Sequence, residues 1–336
     1  MRGRVGIEYD DNVLLRGSVT QTGAATLDTA GERDWRGVWE IDGGVQLWQS
    51  DDGYTSAGVT AGYSGNAHSD LVGLNTHFLR AGGYLARRLG PRTVAQARYQ
   101  YGHAFVLNND DYLQEHYGEL SITQTWQKAG TTTLLGSVVS DDLRFRNFAV
   151  LDGIGTPGNA PCGGGAAPCS PPGIDERNAR DRDGLGYGAA MEHRYLVPVP
   201  QSVDQILEQI ELGGGYRFLL YDSEGSEWEY FSHRFAAQVV LELPLDVSVR
   251  TAASYEHRDF DNPSTFPDVE AADTEYGLSS SDRNEHEFVI EGEVEKDITD
   301  NWSVSALYQF LTNDSNRDAY NYDRHIVGGY INFRFD

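Results

Sequence analysis

Residues Trp35–Trp48, WRGVWEIDGGVQLW, decide how the chain is read. One parity of this stretch runs Trp35, Gly37, Trp39, Ile41, Gly43, Val45 and Leu47; the other runs Arg36, Val38, Glu40, Asp42, Gly44, Gln46 and Trp48. Successive side chains of an extended strand point to opposite faces, so this is a strand with one apolar and one largely polar face. The end of the chain repeats it. His325, Val327, Gly329, Ile331, Phe333 and Phe335 alternate with Arg324, Gly328, Tyr330, Asn332 and Arg334.

Outward from these two, the alternation recurs in fourteen segments. They lie near 3–14, 35–49, 54–65, 74–88, 92–106, 113–128, 131–146, 184–196, 204–221, 228–243, 246–259, 284–297, 301–312 and 321–335. No stretch of comparable length shows apolar residues at helical spacing. The connections sort into two kinds. Ser50–Gly53, Leu89–Arg92, Lys128–Gly130, Pro244–Leu245 and Asp297–Asp300 are short, whereas Arg16–Asp34, Phe148–Asp183 and Phe260–Arg283 are long. Turns on one side and loops on the other are the plan of a transmembrane β-barrel, and an even strand count puts both termini on the short-turn side. The expected fold is all-β: one domain, 1–336, forming a 14-stranded antiparallel transmembrane barrel. Both termini and the short turns are then periplasmic, and 148–183 and the acidic 260–283 are extracellular loops. A large soluble all-β protein is the alternative, but it gives no reason for loop lengths to segregate.

Composition alone points elsewhere. The 336 residues hold 26 Lys+Arg and 51 Asp+Glu, a net charge of −25, with 39 % hydrophobic residues and a mean hydropathy of −0.49. These values describe a soluble acidic protein until the two faces are separated; only alternate residues of a barrel meet lipid. No window of about 18 apolar residues exists, which excludes a transmembrane helix. Aromatic residues, 11 % and spread along the chain, exclude disorder. The negative charge opposes nucleic acid as a partner.

The opening Met1–Asp10, MRGRVGIEYD, has no apolar signal-peptide core, and the alternation begins at once with Val5, Ile7 and Tyr9. The chain therefore reads as a mature or trimmed piece, with Met1 an expression start. The two cysteines, Cys162 and Cys169, lie in the segment PCGGGAAPCSPP, Pro161–Pro172. Their spacing closes a small disulfide loop, which implies an oxidising, exported location. No His or further Cys stands near them to complete a metal site. A loop of this length and composition can fold inward to constrict a lumen or stand out in water.

A ring of fourteen strands is too wide to fill with side chains, since about eight already leave an interior just wide enough. The polar parity is therefore assigned to a water-filled lumen and the apolar parity to lipid, with every backbone group paired in the closed sheet. The expected lumen-lining residues, which would set selectivity, are Glu40, Asp42, Arg80, Arg98, Glu119, Glu211, Arg217, Arg234, Arg250, Glu256, Glu287, Glu291, Glu293 and Arg334. On the outward parity Trp39, Tyr63, Tyr99, Tyr101, Phe105, Trp126, Tyr187, Phe231, Phe235, Tyr255, Trp302, Tyr308, Phe310, Phe333 and Phe335 form two interfacial girdles.

The terminal Tyr330–Asp336, YINFRFD, resembles the C-terminal strand of Gram-negative outer-membrane proteins, although Asp336 follows the Phe335 that would usually end it. Val5–Leu15, VGIEYDDNVLL, with the polar loop and Trp/Gly-rich strand behind it, is similar to the β-barrel porins. It is similar also to barrel domains that follow periplasmic tetratricopeptide repeats in exopolysaccharide-export or surface-lipoprotein translocation proteins. The resemblance implies an integral outer-membrane protein in contact with lipid and lipopolysaccharide. It further implies a channel for polar solutes or saccharide, or else an export barrel working with a removed periplasmic domain. A structural or adhesive barrel whose acidic loops bind a partner is a third class.

No G-x-S-x-G, H-E-x-x-H or P-loop occurs, and the nine His are scattered, several on the outward parity near strand ends. The expectation is a non-enzyme with no cofactor and no metal. The acidic stretch Asp259–Glu275, DFDNPSTFPDVEAADTE, lacks EF-hand spacing and reads as solvated loop charge.

Overall fold

In the computed structural model the chain is described at residues 1–13, 20–22, 25–27, 33–106, 110–127, 129–143, 182–199, 206–262, 281–317 and 320–335. The strands are β1 (Arg2–Asp10), a small hairpin β2 (Thr20–Thr22) and β3 (Ala25–Leu27), then β4 (Asp34–Gln49), β5 (Thr55–His68), β6 (Thr76–Gly90), β7 (Thr93–Val106) and β8 (Asp110–Trp126). They continue with β9 (Gly130–Leu143), β10 (Gly184–Val197), β11 (Gln209–Ser223), β12 (Tyr230–Leu243), β13 (Val247–Phe260), β14 (Asn284–Thr299), β15 (Trp302–Ser315) and β16 (Tyr322–Arg334). Every strand except the hairpin pair joins one closed antiparallel barrel in sequence order, with β1 paired to both β4 and β16. Fourteen strands form the ring. The segments 148–181 and 263–280, and with them the expected Cys162–Cys169 disulfide, lie outside the described residues.

Closure runs from Arg2↔Arg334 to Asp10↔Ile326. It is continued by the Met1 ammonium on the Phe335 carbonyl at 2.5 Å and the Phe335 N–H on the Met1 carbonyl at 2.7 Å. The ring thus has no open edge along its length, as lipid requires. The β12–β13 turn centres on Leu245 and Asp246, at φ 68° and 58°, one residue later than the sequence indicates. Two successive positive φ values match the twist of a tight hairpin.

The pattern 35–48 is interrupted by a bulge. Gln46 pairs with Gly58 but Trp48 with Ala57. Leu47 is the extra residue, so Trp48 moves from the polar to the outward parity, and Leu47 and Trp48 are both exposed. Strand β11 begins at Gln209 rather than near 204, and β1 ends at Asp10 rather than 14.

The two faces differ as the alternation demands. Val5, Ile41, Val59, Leu79, Leu134 and Ile331 all sit on the outward parity and are exposed, with Leu120 reaching 69 %. Among the described residues the buried hydrophobic side chains are only Ala104, Phe260, Ile326 and Tyr330. The described residues form no dry core. A water-soluble protein would have turned that apolar surface inward.

On the outward face tyrosine and histidine recur as diagonal cross-strand pairs. Tyr63, Tyr99, Tyr216, Tyr255 and Tyr308 place their hydroxyls 2.7–2.9 Å from Nδ1 of His77, His116, His233, His286 and His325 respectively. All of these histidines lie toward the end carrying the longer connections. There His257 stacks on His286 at 4.7 Å.

Candidate permeation pathway

Side chains on the concave face of a barrel converge, so residues two or more strands apart can touch. Such contacts identify the lumen. Arg80 on β6 reaches over β5 to Glu40 (2.7 Å) and Asp42 (3.0 Å) on β4. Arg4 on β1 reaches past β16 and β15 to Glu293 on β14 at 2.9 Å. Both depend on small neighbours. Gly62 lies in register between Asp42 and Arg80, and a Cβ there would collide with Asp42 Oδ1 and crowd Arg80 Nε at 3.1 Å. Ser303 and Ser305 of β15 leave the path for Arg4, their hydroxyls held by Asn332 Nδ2 at 3.2 Å.

Glu285, Glu287, Glu291, Glu293 and Glu295 alternate along β14 on this face, an acidic wall broken only by Val289. Arg258 of β13 collects its loop-end part, at 3.3 Å from Glu287 and 3.5 Å from Glu285, and lies 3.0 Å from Glu256 of its own strand. Arg250 meets Glu291 at 3.3 Å. Beside the closure seam, Asp10 is fully buried and held by Arg36 at 3.3 Å and by Arg324. Tyr330 donates to Glu8 at 2.7 Å while the Arg4 guanidinium lies 3.7 Å from its ring centre.

All fourteen expected residues fall on this face by register. The ion pairs bring together Arg80 with Glu40 and Asp42, and Arg250 with Glu291. Glu256 and Glu287 meet through Arg258, while Glu293 takes Arg4 and Glu211 lies 4.0 Å from Arg194. Glu119 accepts from the Tyr117 hydroxyl at 2.7 Å. Arg98 donates to Gln100 at 2.8 Å and Arg234 to Ser254 at 3.1 Å. Arg217 and Arg334 form no side-chain ion pair among the described residues, and Arg217 sits directly across from Arg234. A cavity of about 450 Å³ at the short-turn end is lined by Glu40, Asp42, Arg80, Arg98 and Arg334. Another of about 320 Å³ is lined by Arg234, Arg250 and Glu291.

Sequence reasoning missed Arg258 as a hub, although it continues the parity of Arg250, Ser254 and Glu256 and was open to detection. It missed Arg36, Arg324 and Asp10 as a seam cluster. It missed the lumen aromatics as well: Phe78 and Tyr84, with Arg80 5.8 Å from the Phe78 ring centre. Their shared parity with Arg80 was the available signal.

These features define a closed 14-stranded β-barrel with a charged interior and an apolar exterior. No family model matches the chain, and no match is found among curated proteins. Solved structures with a similar course include the Acinetobacter baumannii outer membrane protein Omp33, 11 % identical, TM-score 0.39, covering 99 % of this chain and 98 % of that one. Pseudomonas putida OprB is 7 % identical, TM-score 0.46, covering 99 % and 93 %. A Pseudomonas aeruginosa FadL homologue is 9 % identical, TM-score 0.44, covering 100 % and 90 %. Each score is below 0.5, and the faces and contacts of this chain carry the functional conclusion.

Proposed function

We propose that the chain is an integral outer-membrane barrel whose water-filled lumen passes polar solutes. The carrying observation is the opposition of faces: exposed aliphatic and aromatic side chains outside, and guanidinium–carboxylate pairs bridging strands two and three apart inside. Lipid takes the first face and water the second. The single domain spans the chain, its termini and short turns are periplasmic, and the longer connections open to the outside.

The mechanism is electrostatic and steric. The fourteen lumen residues set selectivity, with the β14 wall facing cations and the exposed heads of Arg98, Arg217 and Arg234 facing anions. A pathway carrying both signs on different walls favours dipolar and hydroxyl-rich solutes. Phe78 and Tyr84 between such charges offer flat platforms for a sugar ring, which supports saccharide as the solute class.

The test is reconstitution of the purified chain in planar lipid bilayers. Stepwise ionic conductance is expected, reduced by a neutral oligosaccharide added to one side. A barrel that inserts into vesicles but conducts no ions would overturn the channel reading.

A further inference from the structure

The outward histidines serve neither the lumen nor the closure of the ring. Three of them form a row on adjacent strands: His233 pairs with His257, and His257 with His286, in direct register. Asp314 of β15 continues the row opposite His286. The Tyr216 hydroxyl lies 2.7 Å from His233 Nδ1, and the Tyr255 hydroxyl 2.7 Å from His286 Nδ1. Each of these hydrogen bonds can run either way: the phenol donates to a ring that carries its hydrogen on Nε2 and accepts from one that carries it on Nδ1, and an imidazolium donates from both nitrogens. His257 Nδ1 has no hydrogen-bond partner.

The surrounding charge gives the row a direction. Among the described strand residues, the outward parity carries only two cations, Arg87 and Lys296, both at the short-turn end. At the histidine end the outward charges on the described strands include the aspartates Asp142, Asp222, Asp259, Asp314 and Asp323. The ionisable groups facing the row are Tyr216 from β11, Tyr255 and Asp259 from β13 and Asp314 from β15. With neutral imidazoles the row and its two aspartates carry two negative charges. With three imidazolium ions they carry one positive charge. Histidine is the side chain that changes charge between about pH 5 and 8.

We propose that His233, His257 and His286 form a pH-gated docking site for the phosphate of an anionic lipid headgroup. This rests on the reading of the barrel as membrane-spanning, with this end at an interface. The occupant is a lipid because the row stands on the face that also carries Phe235 and Phe288, one outward position nearer the short-turn end, which would pack acyl chains beneath the phosphate. Donors on neighbouring rungs, about 5 Å apart, can reach separate oxygens of one phosphate. Near neutral pH the aspartates repel that group; on acidification the row attracts it.

The full chain in neutral detergent micelles is titrated with a dansyl-labelled phosphatidylglycerol, followed by energy transfer from the barrel tryptophans. Binding is expected to be about tenfold tighter at about pH 5.5 than at about pH 8. The combined variant His233→Gln, His257→Gln, His286→Gln is expected to lose this gain, and His193→Gln at the opposite end to keep it. Tyr216→Phe with Tyr255→Phe, which leaves the imidazoles in place, is expected to retain it. Strand content by circular dichroism checks the fold of each variant. Absence of a pH gain in the parent chain, its persistence in the triple variant, or an equal gain with phosphatidylcholine would overturn the proposal. So would competition by inorganic phosphate as strong as that by lipid, which marks a free-anion site. Vesicle flotation separates the two readings: a chain that does not insert loses the membrane assignment, whereas an inserted barrel with pH-independent lipid binding loses only this site.

Discussion

Asp52 occupies the β4–β5 turn, outside the spanning strands. Its carboxylate takes the Ser50 hydroxyl at 2.5 Å and the Tyr54 N–H at 2.9 Å. The Ser50 bond foremost, then the Tyr54 N–H, hold its pKa below the ordinary aspartate value. A depressed folded-state pKa contributes stability above the unfolded value, and that contribution is lost as pH falls through the folded one. Ser50→Ala should therefore raise the Asp52 titration midpoint, read by carbon-detected NMR, and shift the acid loss of turn order to higher pH. Gly62 is the other single residue with a sharp consequence. Gly62→Val places branched carbons where Asp42 and Arg80 meet, so the Arg80 bridge must break or the strands shift. A loss of about 1–3 kcal/mol is expected for such overpacking, measured by urea unfolding in lipid vesicles. Gly62→Ser is expected to fall between glycine and valine, since its Cβ meets the same oxygen without the second branch.

Arg283, at the start of the turn into β14, joins elements that the alternation keeps apart. It is fully buried, 3.6 Å from Glu227 and 3.4 Å from Glu285. Its guanidinium lies over Phe260, Tyr320 and Trp228 at 3.6, 4.3 and 4.6 Å. These residues come from the connections and strand ends around β11, β13, β14 and β15, so one side chain ties several of them at the rim. Arg283→Ala leaves Glu227 and Glu285 buried beside an empty cage, and a loss of about 3–5 kcal/mol is expected. Arg283→Lys should recover the charge but not the stacking. Such clusters are hidden from a linear reading, whereas strands are not. A period of two is imposed residue by residue by lipid on one side and water on the other, which is why Trp35–Trp48 and His325–Phe335 betray the barrel. The bulge at Leu47 adds one residue without altering hydrophobicity, so strict alternation puts Trp48 on the wrong face. Arg4 and Glu293 lie on the same face in any reading. That they touch depends on the stagger of the ring, which no local pattern encodes.

At the scale of the whole barrel, net charge and selectivity have to be separated. The −25 of the chain does not reach a permeating ion uniformly, because the carboxylates of β14 and β4 are partly matched by Arg4, Arg80, Arg250 and Arg258. What a solute meets is the remainder: Arg98, Arg217 and Arg234 exposed on one arc, and the less fully paired acids on the other. On the described strands, inward carboxylates outnumber inward guanidinium groups, so a modest preference for cations is expected. Glu291→Gln with Glu293→Gln strips the middle of the acidic wall and frees Arg4 and Arg250 to face the water. The potassium-to-chloride permeability ratio, from reversal potentials across a salt gradient, should fall by a factor of about two to three. Arg217→Gln with Arg234→Gln should raise the same ratio, because these two guanidinium groups face each other and release no carboxylate when lost. Raising ionic strength should compress both changes, since the Debye length shortens from about 10 Å at 0.1 M to about 3 Å at 1 M. Equal shifts in the same direction for both pairs would mean that the variants alter aperture rather than field, and that the lumen selects by width.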